Sequence, residues 1–182
     1  MLEALLIACA FALLQWWSSP WSYVAAGILL LLCLPGVFVM RGAAPFVSTP
    51  RSTMQAMLRL AAIRPGERVV DLGCGDGRLV FAAAKEEASA TGYEMSVPAY
   101  IIAKARSLFH PGARICFGNF WHQNYDDVDV LFCYFLKDTM LDFEARIWPS
   151  LKPGCRVVSH AFTMKDVPAE KKEGDAVLYV KK

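Results

Sequence analysis

The first 40 residues contain no lysine or arginine and a single acid, Glu3. A cleaved secretory leader needs a basic start and a small-x-small cut site, and neither is found around the first apolar run. The chain has three histidines and no Cys-x-x-Cys pair. That excludes the usual zinc spacings, so no metal is expected. The six cysteines, Cys9, Cys33, Cys74, Cys116, Cys133 and Cys155, lie in apolar runs or in or beside predicted strands, which reads as buried reduced thiols. Large net charge is also missing. All 19 basic residues lie from Arg41 onward together with 16 of the 17 acids. Such a balance argues against a nucleic-acid groove. No internal repeat and no low-complexity segment occurs beyond the apolar start.

What the start does contain is two apolar runs, Ala4 to Trp17 and Trp21 to Met40, around Ser18-Ser19-Pro20. The second run would span about 30 Å as a helix, the thickness of a bilayer core. Trp16, Trp17, Trp21 and Tyr23 cluster at the turn as an interfacial aromatic belt does. Arg41, Arg51, Arg59 and Arg64 follow, which by the positive-inside rule puts the rest of the chain in the cytoplasm. A helical hairpin with both ends cytoplasmic is expected, or else one span with the N-terminus outside. Two buried soluble helices fit poorly, because no polar face is marked. Residues 1–40 are thus read as a membrane anchor, 41–52 as a linker and lid, and 53–182 as the main folded domain, at the inner side of a bacterial or organellar membrane.

From the linker onward, helical and strand patterns alternate. A helix is expected over Thr53 to Ile63, capped by Thr49 or Ser52, and a strand over Arg68 to Leu72. Helices over Arg78 to Glu86, Pro98 to Leu108 and Lys137 to Leu151 alternate with strands over Ser89 to Tyr93, Ala113 to Phe117, Val128 to Phe135 and Cys155 to Ala161. Lys165 to Gly174 reads as a solvated loop, and Ala176 to Val180 as a last strand. This predicts an α/β fold with a doubly wound, mainly parallel sheet. It has six strands and looks one strand short at its C-terminal end, unless Phe162 to Val167 supply the missing one.

The chain is organised around Glu67 to Arg78. Val69 and Val70 lead to Asp71, and Gly73, Gly75 and Gly77 follow before a helical segment. A dinucleotide site would want G-x-G-x-x-G, but the third glycine position here is Arg78. An acid two residues before the first glycine suits a ligand with an ammonium group better than a pyrophosphate. The pattern resembles the first motif of Rossmann-like S-adenosylmethionine (SAM) methyltransferases. Ligands of such sheets bind beyond the carboxyl ends of the strands. Asp71 is expected to face the ammonium, with Gly73, Gly75, Asp76 and Gly77 forming the turn. Glu94 ends the second strand and can accept ribose hydroxyls. Asn119 ends the third and can reach the adenine edge, with Phe120 or Trp121 beside it to stack on the ring.

Three further segments narrow the resemblance: Pro45-Phe46-Val47-Ser48-Thr49-Pro50, then Met57-Leu58, then Leu151-Lys-Pro-Gly-Cys-Arg-Val-Val-Ser-His160. With the glycine turn, they resemble the small SAM-dependent protein-lysine methyltransferases. The mitochondrial members carry an N-terminal membrane segment and modify the adenine-nucleotide translocase and the ATP synthase c-subunit. The resemblance covers about Ala44 to His160 and implies a protein substrate in a membrane, with lysine as acceptor. Cys74 departs from the usual serine, and Met95-Ser96 from the common Asn or Asp after Glu94. Tyr134 is a candidate for orienting the amine and His160 a candidate base. Phe46, Ser48 and Thr49 are candidate lid residues. Tyr134-Phe135-Leu136 stands where methyltransferases of DNA-base amines usually have Asn or Asp followed by Pro-Pro-aromatic, which counts against a nucleic-acid base. A methyltransferase for a quinone or lipid, and a non-catalytic SAM-binding protein, are the alternative readings.

Overall fold

The computed structural model describes residues 7–9, 22–29 and 50–182. The chain divides into two compact units, Met1–Ala43 and Ala44–Lys182. Residues 7–9 and 22–29 are helical. The remainder of the expected anchor, and the lid residues Phe46, Ser48 and Thr49, lie outside the described residues. Among the described residues no helix is long and apolar enough to cross a membrane.

In the second unit the order is α1 (Arg51–Ala61), β1 (Arg68–Leu72), α2 (Arg78–Lys85), β2 (Ser89–Glu94), α3 (Val97–Ser107), β3 (Ala113–Phe117), β4 (Val130–Cys133), α4 (Lys137–Arg146), β5 (Arg156–His160), β6 (Lys171–Glu173) and β7 (Ala176–Val180). The sheet runs β3-β2-β1-β4-β5-β7-β6. Strands β1 to β5 are parallel, while β7 pairs antiparallel with β5 and with β6. The order reverses between β1 and β4, so the crevice lies beyond the ends of those two strands.

Alternation along each strand builds two cores, because successive side chains leave a strand on opposite faces. Val69, Val130, Phe132 and Val158 pack against α1, α2 and α3 through Met57, Leu60, Val80, Phe81 and Ala103. Val70, Leu72, Leu131, Cys133 and Val157 face the other way, onto Met140 and Phe143 of α4 and onto Tyr125 and Ile147. One face is therefore roofed by three helices, the other by one helix and the loops around it. No helix links β3 to β4; a single 3-10 turn, Phe120–His122, stands there.

Several expectations need correction. The sheet is not one strand short. Lys171–Glu173 forms β6 within the run expected to be a solvated loop. It has no apolar residue because it is a short edge strand, where lysines also discourage pairing with other chains. Gly174 (φ +58) and Asp175 make the two-residue turn that joins it to β7. Glu173 then accepts from Arg59 Nε of α1 at 2.9 Å. Helix α1 starts on Pro50 with no side-chain cap, and Ser52 lies inside it. Strand β4 is shorter than its apolar run, whose ends Val128 and Phe135 are buried outside the ladder. Helix α4 stops at Arg146, and Trp148–Ser150 winds as a 3-10 turn that contains Pro149. Proline lacks the N–H a continuing helix needs. Of the cysteines, Cys74, Cys133 and Cys155 are buried, Cys116 is half-buried and Cys9 is exposed, all as free thiols, while Cys33 lies outside the described residues.

Candidate functional site

Strand β1 carries Asp71 to the sheet switch point, where the side chain is 6% exposed. Among the described residues no donor hydrogen-bonds to its carboxylate. Burial, with smaller contributions from Glu94 and Asp76, pushes its pKa up to about 8. A buried carboxylate beside two more acids favours the neutral form until a cation arrives.

The turn after β1 is held by β2. Gly73 N and Cys74 N both donate to the Tyr93 carbonyl, at 3.0 and 2.9 Å. Gly77 closes the turn by donating to the Cys74 carbonyl at 2.9 Å and starts α2 at φ +81. A Cβ there would stand 2.6 Å from the Phe81 ring, so only glycine fits. Gly73 has φ +78 and open space above it, which leaves its backbone free for a ligand.

Glu94 closes β2 and turns its carboxylate back on this turn. Oε2 accepts from Gly75 N at 2.8 Å, while Oε1 accepts from Met95 N at 3.0 Å and Ser96 N at 2.7 Å. A carboxylate has about four acceptor positions, so by that count one remains, on Oε2. The residue expected to hold a ribose also serves as the strut between glycine turn and α3.

Asp76 is committed to neighbours. Oδ1 accepts from Arg78 Nε at 2.9 Å, and Oδ2 from Arg78 Nη2 at 2.7 Å and Arg106 Nη1 at 2.8 Å. Arg106 Nη1 also donates to the Asp76 carbonyl at 2.9 Å. These guanidiniums hold the Asp76 carboxyl below the usual carboxylate range. The group expected in the cofactor set is thus a latch between the glycine turn and α3. Sequence reasoning missed Arg106, because 30 residues separate it from Asp76 and no local pattern marks the pair.

Asn119 follows β3, and its Oδ1 caps the 3-10 turn by accepting from Trp121 N at 3.0 Å. That orientation leaves the amide N–H groups for another acceptor. Phe120 stacks on Phe135 with ring centroids 5.2 Å apart, and Trp121 lies under Arg146 at 4.5 Å. Both rings are half-buried against the α4 core.

Across the crevice, the parallel register Cys133↔Ser159 brings the next residues, Tyr134 and His160, side by side. Their ring centroids are 4.1 Å apart. His160 is 6% exposed, and among the described residues its buried Nδ1 has no hydrogen-bond partner. Burial, opposed weakly by Asp175, lowers its pKa below the ordinary histidine value. The imidazole is accordingly neutral at pH 7 and able to accept a proton.

The site is therefore an acid-lined glycine turn facing a neutral aromatic–imidazole pair. The family model of the ANTKMT methyltransferase domain matches residues 71–171. A protein-lysine N-methyltransferase of Saccharolobus islandicus (strain REY15A) is 32% identical over 126 residues, which cover 66% of this chain and 78% of that protein. The lysine N-methyltransferase of the ATP synthase c-subunit from Homo sapiens is 26% identical over 121 residues, 65% of this chain and 52% of that protein. The chain thus spans about half the length of the human relative. Among solved structures, an RNA methyltransferase from Salinibacter ruber, in complex with S-adenosyl-L-homocysteine, aligns with TM-score 0.66 and 26% identity, covering 73% of this chain and 91% of that one.

Proposed function

The chain belongs to the family of ANTKMT methyltransferase domains, and from that premise we propose that it transfers methyl groups from SAM to a lysine side chain of a membrane or membrane-associated protein. One observation carries the cofactor: Asp71 is buried, raised to about 8 and close enough to two other acids to feel their charge. Such a group suits a cationic ligand with an ammonium end. The residues present fit SAM. Asp71 would meet the ammonium, Gly73 would admit the ligand against the backbone of the turn that Gly75 and Gly77 complete, and Glu94 would offer its remaining acceptor position to the ribose. Asn119 would offer its amide to the adenine, with Phe120 or Trp121 as an apolar wall. When bound, SAM supplies a methyl group already activated on a sulfonium.

The acceptor reading rests on the protein-lysine relatives and on the rim. A lysine amine must lose a proton, against an ordinary pKa of about 10.4. His160, neutral and without a partner at Nδ1 among the described residues, can accept from the amine without repelling its positive charge. Tyr134 can orient the amine with its hydroxyl or ring face. The solved neighbour acting on RNA raises a nucleic-acid acceptor as the competing reading. Tyr134-Phe135-Leu136 after β4 opposes a base amine, because it lacks the Asn or Asp and the paired prolines of base-amine methyltransferases.

Residues 1–40 would hold the enzyme at a membrane, with the domain of residues 53–182 on the cytoplasmic or equivalent inner side. Phe46, Ser48 and Thr49 in the linker of residues 41–52 would cover the cofactor. Anchoring raises the effective concentration of substrates in the same bilayer. The test is tritiated SAM with membranes of the source organism, fractionated into protein, lipid and RNA. Label is expected in protein and, after hydrolysis, on methylated lysine. Label confined to lipid or RNA would overturn the lysine acceptor, and SAM binding without label in any fraction would mark a non-catalytic protein.

A further inference from the structure

Helix α3 is apolar on two sides, and only one is used. Ala99 and Ala103 are buried in the core. On the other side Ile101, Ile102, Ala105, Leu108 and Phe109 recur at i, i+1, i+4, i+7 and i+8, the spacing of a continuous helical stripe. The last two extend the winding past the helix end, their N–H groups donating to the carbonyls of Ala105 and Arg106. All five are exposed. Leu108 at 79% and Phe109 at 82% are the most exposed large apolar residues described, with Ile101 at 57% and Ile102 at 53%. Phe117, 57% exposed, lies on β3 at the edge of the sheet that α3 leads into. A stripe of this kind on a soluble surface marks a contact.

Charge selects the occupant. From Met95 to Tyr125 the chain has no Asp or Glu, while Lys104, Arg106 and Arg114 are all within it. Arg106 is turned inward to Asp76. Arg114 and Lys104 are exposed residues on the elements that carry the stripe, the Lys104 Nζ also donating to the Ile115 carbonyl at 3.3 Å. An apolar helical face with cations and no acids is the composition that lies in a bilayer interface and meets anionic headgroups. A second copy of the chain would set the same cations against themselves, with no acid in the segment to offset them.

We propose that this face of α3, with Phe117, seats the domain on an anionic lipid surface, with Leu108 and Phe109 entering the boundary between headgroups and acyl chains. It rests on the membrane reading of the proposed function, and the test separates the two. The full chain is made with p-benzoylphenylalanine at position 109, or at position 172 on the opposite edge strand as control. Each form is mixed with vesicles of phosphatidylcholine and phosphatidylglycerol, floated, and irradiated. Flotation reports membrane association by any route, and lipid adducts report contact at the probe. Adducts at position 109 exceeding those at 172 at least tenfold, and falling several-fold in phosphatidylcholine alone, are expected. Leu108→Asp with Ile101→Asp should remove most adducts at 109 while leaving SAM affinity unchanged. A chain that floats but forms no adduct at 109 would overturn the α3 contact and leave the anchor standing. Crosslinks from 109 to a second copy, or to residues 1–40, would also overturn it. A chain that fails to float would contradict both readings.

Discussion

The two sides of the crevice are finished differently. Around the ends of β1 and β2 the polar groups other than the Asp71 carboxylate are tied down: Glu94 accepts three backbone N–H groups, Asp76 two guanidiniums, and the Tyr93 carbonyl two more N–H groups. At the ends of β4 and β5, Tyr134 and His160 touch each other, and the buried His160 Nδ1 has no described partner. On the first side the glycine turn and Glu94 are preorganised, held by the fold before any ligand arrives, and Asp71 alone awaits a partner. The second leaves hydrogen-bonding capacity for an acceptor to complete. Cofactor binding and methyl transfer should therefore separate under mutation.

The largest effect is expected from Glu94→Ala. It frees three N–H groups that now meet a charged acceptor, at a cost of about 2–3 kcal/mol of stability after partial compensation by water. It should also weaken SAM binding on the order of 100-fold, because a preorganised turn and a ribose contact would be lost together. A melt and a calorimetric titration check the two numbers. Unchanged SAM affinity would show that the β2 end is not the cofactor side.

Next, His160→Gln and Tyr134→Phe should each lower kcat about tenfold or more, with the Kd for SAM within about twofold of the parent. Equal losses in SAM affinity and turnover would erase the distinction between the two sides. The smallest effect is expected from Arg106→Met, which keeps the aliphatic bulk and removes the partly exposed latch to Asp76. About 1 kcal/mol of stability should go, with a few-fold rise in KM for SAM and little change in kcat.

The same contrast explains what could be read from the chain. Asp71, the three glycines and Glu94 are marked by short spacings, because a strand end, a turn and a helix start are local events. Strands β1, β3 and β7 have the expected bounds, since each is a short β-rich run bounded by turn or charged residues. The Asp76–Arg106 latch and the Tyr134–His160 pair were not legible as contacts. One depends on how α3 packs over the glycine turn, the other on the β4–β5 register. Strand β6 escaped because Lys171-Lys172-Glu173 has neither apolar alternation nor β-branched residues. Its signal was the Gly174-Asp175 dipeptide before an apolar run, a recognised hairpin turn.

Asp71 ties stability, pH and ligand together. Its folded pKa of about 8 lies above the ordinary 3.8, so the fold favours the neutral acid. The stability this gives is fully present below the ordinary value and is lost as pH rises toward 8, by up to about 1.4 kcal/mol per unit. Asp71→Asn should flatten that slope, raise Tm near pH 8 and weaken SAM binding about 30-fold or more, since a charged partner is replaced by a neutral one.

The most direct measurement is the proton released when SAM binds, from calorimetry at pH 7 in two buffers of different ionisation enthalpy. An ammonium group meeting Asp71 must drive off the proton that burial retains there. The parent chain should release close to one proton per SAM and Asp71→Asn close to none. Tight SAM binding by the parent with no proton released would contradict the pairing of Asp71 with the ligand's cation.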